Sequence, residues 1–189
     1  DDGLSFISDI SEAKSYQFIN SDIFAQAYAS YLVGLSDVAL PDNHYDAPLY
    51  GFLMKSLDLI EEKIDMVVVT FIFELQVMSR FGAQLDFGQC VFCHRKDLPM
   101  DFSYKFNGCL CRNHFDEDMK RSHVDPNVIF LCQSFMAMDL EKLPSINLSD
   151  DLKKKIRVFI DALYDHYIGV QIKAKKFIDG LDGWADIMK

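Results

Sequence analysis

The chain has 189 residues, with 19 Lys and Arg against 29 Asp and Glu, a formal net charge of -10 and 50% hydrophobic residues. That apolar content excludes disorder as the main state and suffices for one or two domains with a sizeable core. No run approaches the roughly 18 apolar residues of a membrane span, and no basic segment leads into an apolar one, so the chain is expected to be soluble, unexported and cytoplasmic. It begins at Asp1 rather than Met and is expected to be a piece of something longer.

From Ser21 to about Leu40, Ile23, Phe24, Ala27, Tyr28, Tyr31, Leu32 and Leu35 follow helical spacing. Ser21 is the predicted N-cap, Asp22 favours the helix N-terminus, and Pro41 is the stop. A second helix is predicted over residues 47–62, with Pro48 in its first turn and Leu49, Phe52, Leu53, Leu57 and Ile60 on one face. Residues 65–81 are apolar almost all round. The β-branched run Val67–Thr70 points towards a strand, but the length of the segment and the stop at Gly82 favour a central buried helix.

Residues 83–123 change character. Phe102, Tyr104 and Phe106 alternate with polar partners, Asn107-Gly108 is a two-residue hairpin signal, and Cys109 and Cys111 continue the period of two. Helices resume over 126–139, after Asp125-Pro126, and over 150–168, with Ser149 as cap and Asp150 and Asp151 in the first turn. A short segment near 173–180 ends at Gly180. The predicted fold is mainly α: a helical, bundle-like body formed by residues 1–82 and 124–189, with a small zinc-ribbon-like module inserted at 83–123.

Charge is distributed unevenly. Residues 1–65 hold 12 acids and 3 bases, residues 86–123 hold 6 of each, and residues 149–176 hold 7 bases against 4 acids. General acidity argues against broad nucleic-acid binding, which draws affinity from phosphate neutralisation. The basic C-terminal stretch keeps a local contact open.

Four of the five cysteines, Cys90, Cys93, Cys109 and Cys111, lie close together in sequence; the fifth is Cys132. Cys90-Val91-Phe92-Cys93 is a C-x₂-C knuckle and Cys111-Arg112-Asn113-His114 a C-x₂-H pair, with the predicted hairpin between them. This is the spacing of a closed Cys₃His zinc site, and a closed sphere has no place for an activated water, so one structural zinc is expected. Cys109 could replace Cys111 as ligand and His94 could replace His114; the x₂ spacing favours Cys111 and His114, because a tight turn directs both to one metal. An insert of this size cannot hold itself together by apolar burial alone, so the metal is expected to fold it. Disulfides are disfavoured in a reducing compartment. Cys90-Val91-Phe92-Cys93-His94 also matches the haem-attachment motif, and a small redox or haem protein is the alternative reading, although it leaves Cys111 and His114 unexplained. A transcriptional or chaperone-like zinc module explains the sequence less well. Cys132, in a helical apolar pattern, reads as a buried small hydrophobe.

The chain carries no dinucleotide fingerprint, Walker A loop, zinc-protease helix or nucleophile elbow, and it is read as a non-enzyme. The acid pairs Glu61/Glu62 and Asp116/Asp118 read as solvated faces. Glu74 lies inside an apolar helix, where an unpaired charge is costly, and the reading is a buried charge paired for architecture, with Arg80 as the nearest partner in sequence.

Three stretches are characteristic when taken in order: Phe73-Glu74-Leu75-Gln76-Val77-Met78-Ser79-Arg80-Phe81-Gly82; then Cys90-x-x-Cys93; then Asn107-Gly108-Cys109-Leu110-Cys111-x-x-His114. With Ala27–Leu32 upstream and Tyr164, Tyr167, Gly169, Lys175, Lys176 and Phe177 downstream, the sequence resembles the RecO family of DNA repair and recombination proteins over most of its length. The resemblance implies a bacterial, nucleoid-associated recombination mediator that binds single- and double-stranded DNA, anneals strands and loads the recombinase onto strands coated by single-strand-binding protein. It implies RecR and the acidic C-terminal tail of single-strand-binding protein as partners, and carries the family's zinc ligands onto Cys90, Cys93, Cys111 and His114. Family members begin with an OB-fold, a known nucleic-acid platform. No alternating strands precede the first predicted helix, so the chain is expected to be the part without the OB-fold, with weakened DNA binding. An acidic, hydrophobic tail would need a pocket with a basic clamp at its rim. Lys173, Lys175 and Lys176, and separately Arg95 and Lys96 beside the first knuckle, are the candidate DNA or partner contacts.

Overall fold

The computed structural model describes residues 9–10, 13–40, 45–143, 146–169, 172 and 174–180. Its helices are α1 (Gln17–Ser21), α2 (Ile23–Ala39), α3 (Ala47–Glu61), α4 (Met66–Val77), α5 (Pro126–Met136) and α6 (Asp150–Tyr167), and residues 174–180 are also helical. A three-stranded sheet, β1 (Asp86–Cys90), β2 (Met100–Ser103) and β3 (Gly108–Cys111), lies between α4 and α5 in sequence. No helix among the described residues is long and apolar enough to cross a membrane.

Helix α4 is the axis of the body and touches α2, α3, α5 and α6. Burial on every side explains why its sequence has no polar face: Val68, Val69, Phe71, Ile72, Phe73, Leu75 and Val77 are all buried. Each such side chain contributes on the order of 1.5–3 kcal/mol of transfer free energy, which overrides the modest strand preference of Val67–Thr70. The Thr70 hydroxyl donates back to the Met66 carbonyl at 2.8 Å, so its burial leaves no orphan. Asp65 caps the N-terminus through the amides of Val67 and Val68. At the other end the chain tightens into a 3-10 turn, Met78–Phe81, and stops at Gly82, whose φ of 83° is the left-handed conformation that glycine adopts without strain.

Two helix starts differ in detail from expectation. Ser21 ends α1, with its hydroxyl donating to the Phe18 carbonyl, and Asp22 is the cap of α2, accepting from the amides of Phe24 and Ala25. Its extended backbone places the carboxylate over the helix end, and its charge is favourable there. Pro41, the expected stop, lies outside the described residues. Glu61 is not merely solvated: it accepts the amides of Gln17, Phe18 and Ile19 at 2.7, 2.9 and 3.0 Å, closing the start of α1 from across the fold. Burial opposes its ionisation, but these three donors outweigh it and hold the carboxyl below its ordinary range. Asp118 likewise accepts the Ser103 hydroxyl at 2.6 Å and the Lys120 amide at 2.9 Å.

Glu74 is fully buried. Its partner is Arg157 of α6, not Arg80: the guanidinium forks onto both carboxylate oxygens at 2.7 and 2.9 Å, and the Tyr31 hydroxyl donates to the same group at 2.6 Å. Tyr164 donates to the Glu74 carbonyl at 2.9 Å. Burial, reinforced by the Glu74 charge, pushes both tyrosine hydroxyls well above their ordinary range, so they remain donors. Arg80 pairs with Asp46 at the cap of α3, because the 3-10 turn carries it away from the α4 axis. The network ties α2, α4 and α6 together.

The sheet order is β1-β3-β2, with β1 parallel and β2 antiparallel to β3. The Asn107-Gly108 signal marks a hairpin of a different register: Ser103 pairs with Gly108, so the turn is the four residues 104–107 and Gly108 begins β3. Asn107 takes the left-handed conformation at φ 52°, and the Phe106 amide donates to the Ser103 hydroxyl, which favours the longer turn. The parallel strand β1 has no counterpart among the predicted elements. Phe87 and Phe102 of the sheet meet Phe159 of α6 at 6.0 and 5.7 Å between ring centroids, and the Tyr167 hydroxyl donates to Asn107 Oδ1 at 2.8 Å. These contacts fix the sheet on the helices.

Candidate metal centre and partner surfaces

Cys90 ends β1, Cys111 ends β3, Cys93 lies in the turn after β1, and His114 lies in the 3-10 turn after β3, Arg112–Glu117. The structure brings these four together, with one donor atom of each within 4.8 Å of all the others. Sγ of Cys93 and Cys111 are 3.7 Å apart, and His114 Nδ1 is 3.5 Å from Cys90 Sγ and 3.4 Å from Cys111 Sγ. Three thiols and an imidazole converging in this way can hold a metal ion.

The local fold explains the convergence. The His94 amide donates to the Cys90 carbonyl at 2.8 Å with His94 itself at φ 56°, which closes the first knuckle as a tight left-handed turn. The Val91 amide donates to the Cys109 carbonyl at 2.9 Å and so docks the knuckle on β3. Gly108 permits the approach: a Cβ there would lie 2.6 Å from Val91 Cγ1. The Phe92 ring stacks on His114, with centroids 5.3 Å apart and planes 23° apart.

The cluster does not include Cys109 or His94. His94 is the turn residue itself. Cys109 and Cys111 are both fully buried, and burial raises both thiols, but only Cys111 contributes its sulfur to the four-donor cluster. Cys132 is also fully buried, with its thiol pushed up to about 12. At Cys90 burial also raises the thiol, but amides of Cys111, Cys93 and Phe92 outweigh it and bring it down to about 6. Among the described residues no cysteine is in a disulfide.

The basic residues separate into groups. Arg95 is held by Asp97, at 3.0 Å from Nε and 2.6 Å from Nη2, and that fork brings the Asp97 carboxyl down to about 2. Lys96 is exposed. Lys175 pairs with Asp179 and, at 3.2 Å, with Asp161, while Lys176 is exposed. Lys173 lies outside the described residues. Lys175 and Lys176 border a cavity of about 290 Å³ that Asp161, Asp165 and Asp179 also line, an unfavourable mixture for an anion. A larger groove, about 740 Å³, runs between α6 and the loop before α5, with Val124, Val158 and Phe159 among its apolar lining and Lys154, Lys155, Asp125 and Asp151 among its charged side chains; Lys155 lies 2.8 Å from Asp151 and 3.6 Å from Asp125. Periodicity did not single it out, because Val158 is 70% exposed on an otherwise regular amphipathic helix.

A helical body bearing a small three-stranded module with a Cys₃His cluster defines a mainly α protein with a candidate metal site. Residues 20–176 match the family described as Recombination protein O C terminal. The chain is 57% identical over its whole length to the DNA repair protein RecO of Lactococcus lactis subsp. lactis (strain IL1403), covering 75% of that protein. It is 54% identical over 188 residues to the DNA repair protein RecO of Streptococcus thermophilus (strain ATCC BAA-491 / LMD-9), covering 73% of it, and 49% identical to that of Streptococcus pyogenes serotype M49 (strain NZ131), covering 75%. The chain belongs to the RecO family. No solved structure matches it significantly.

Proposed function

We propose that the chain acts in DNA repair and homologous recombination as a non-enzymatic mediator, by holding DNA and partner proteins together. The observation that carries this reading is family membership over residues 20–176, at 49–57% identity to relatives named as DNA repair proteins. The partners are RecR, the acidic tail of single-strand-binding protein, and DNA, with strand annealing and recombinase loading as the outcome. The protein works in the bacterial cytoplasm, at the nucleoid.

Residues 83–123 are the inserted module within a body formed by 1–82 and 124–189, and the ion in the module is zinc, held by Cys90, Cys93, Cys111 and His114. Donor chemistry supports the metal. A tetrahedron with zinc–ligand bonds of about 2.3 Å to sulfur and 2.0–2.1 Å to nitrogen has edges of about 3.8 Å between sulfurs and 3.6 Å between sulfur and nitrogen. The separations of 3.7, 3.5 and 3.4 Å fall close to those edges. Four protein ligands close the sphere, so the ion serves folding rather than chemistry.

For an acidic, apolar tail, the groove beside α6 offers more room and more apolar lining than the cavity at Lys175, and both carry aspartates as well as lysines. It has an apolar lining and basic side chains, and burial of apolar residues with a carboxylate at a basic rim is the usual recognition mode for such a tail. Lys96 and Lys176, whose side chains face solvent, are the first candidates among Arg95, Lys96, Lys173, Lys175 and Lys176 for DNA contact. Titration of the chain with an acidic tail peptide, and separately with RecR, tests the reading. Saturable binding of both is expected, with the peptide weakened by Lys154→Glu. Binding of neither contradicts a mediator role.

A further inference from the structure

Of the five cysteines, four are buried and Cys93 alone is partly exposed. It sits in a run that faces solvent: Val91, Phe92, His94 and Arg95 are all exposed. Cys109 and Cys132 present no surface at all. A dissolved oxidant therefore meets the sulfur of Cys93 first. Exposure by itself does not make a cysteine an oxidation site; thiolate character and a second sulfur within reach are also needed.

Both are present. A cysteine that ligates zinc is deprotonated, and its sulfur keeps a lone pair. Cys93 Sγ lies 3.7 Å from Cys111 Sγ, across the gap between the two knuckles. To form a disulfide the pair has to close from that distance to roughly 2.05 Å. Cys90 is less free to make such a move. Amides of Cys111, Cys93 and Phe92 converge on its sulfur, whereas the amide at the Cys111 sulfur is that of Asn113.

We propose that Cys93 is an oxidation site for hydrogen peroxide, with Cys111 as the resolving thiol, and that the resulting Cys93–Cys111 disulfide expels the metal. This rests on the zinc reading above and adds to it a covalent modification of the same cluster. The Cys93 sulfur attacks one peroxide oxygen, the O–O bond breaks, hydroxide leaves, and Cys93 becomes a sulfenic acid. The Cys111 sulfur then attacks Cys93 Sγ; the S–S bond forms, the S–O bond breaks, and a second hydroxide leaves. The peroxide gains two electrons, the two thiolates lose them, and the hydroxides take protons from solvent to become water. Cys90 and His114 remain, and two ligands do not hold a site built for four. The module then loses the ordering that an insert of its size cannot supply by apolar burial. The bond joins the two knuckles to each other rather than closing within Cys90-Val91-Phe92-Cys93, and a thiol reductant reverses it.

The test treats the full, zinc-loaded chain with hydrogen peroxide in the presence of a chromogenic zinc chelator, then alkylates, digests and maps the cysteines by mass spectrometry. Hydrogen peroxide is little larger than water and reaches a sulfur from which a bulky thiol reagent is kept. Expected are zinc release faster than with chelator alone, loss of two thiols per chain, linked peptides carrying Cys93 and Cys111, and recovery of the metal site on adding a thiol reductant and zinc. Cys109→Ser, which removes a buried thiol outside the cluster, should release zinc at the wild-type rate. A Cys90–Cys93 linkage, release with Cys93 still open to alkylation, or zinc held as long with peroxide as without it overturns the assignment and leaves the zinc site standing. A chain that binds no zinc before treatment overturns the oxidation site and the metal reading together.

Discussion

Replacing Arg157 by Met should be among the most damaging single changes in the body. It leaves the fully buried Glu74 carboxylate with Tyr31 as its one remaining side-chain donor, and removes both guanidinium bonds. It also removes the 2.7 Å contact to Asp161 and the stacking of the guanidinium 5.3 Å from the Phe71 centroid. Breaking a buried pair from one side costs about 3–5 kcal/mol, because the orphaned charge stays desolvated. At about 2–4 °C per kcal/mol for a chain of this size, thermal unfolding should fall by roughly 6–20 °C. The double variant Glu74→Gln/Arg157→Met removes the orphan charge while keeping the amide oxygen as acceptor for Tyr31. It should recover most of the loss, because replacing both members of a buried pair is often close to neutral. Denaturant melts of the wild type, both singles and the double close the cycle. A double variant no more stable than Arg157→Met refutes the orphan-charge argument and assigns the loss to packing alone.

Other outcomes follow from the same geometry. Cys93→Ser should open the module, read as new protease cleavage between residues 86 and 123 with the helices intact. Gly108→Ala should push Val91 off its rotamer at a cost of about 1 kcal/mol and loosen the knuckle, measured as faster metal loss to a chelator. Glu61 titrates lower in the folded chain than in the unfolded one, so its capping of α1 is complete above the ordinary glutamate range near pH 4.3 and is lost as pH falls below it. Amide exchange of Gln17, Phe18 and Ile19 should accelerate across that window in the wild type, and be fast at every pH in Glu61→Leu.

What the sequence discloses and what it hides divide along physical lines. Helices α3 to α6 are legible because apolar spacing, caps such as Ser149 and stops such as Gly82 are local. The metal cluster is legible because C-x₂-C and C-x₂-H force each pair into one tight turn. The x₂ spacing to His114 already favours Cys111 over Cys109, and the fold brings Cys111 into the cluster and leaves Cys109 out of it. Glu74–Arg157 has no local signature: its members lie 83 residues apart and meet only when α6 packs on α4. Glu61 deceives for a related reason, because an acidic residue in a polar run gives no sign that three amides of α1 await it. The parallel strand β1 was hidden because Asp86–Cys90 is short and carries Gly88 and Gln89 in place of a β-branched run. The basic stretch 149–176 is legible as a place for a local contact, but the groove at Lys154 and Lys155 is not, because its other wall, Tyr104 and Ser122 to Asp125, comes from a distant part of the chain.

The central claim is that a closed Cys₃His zinc site folds the inserted module of a RecO-family protein. Elemental analysis with thiol counting on the same sample tests it most directly, run on the wild type, Cys111→Ser and Cys109→Ser. One zinc per chain is predicted in the wild type and in Cys109→Ser, with little or none in Cys111→Ser, and ligand thiols that react only after a chelator is added. A wild type without zinc, or one in which Cys109→Ser loses the metal and Cys111→Ser keeps it, would contradict the account.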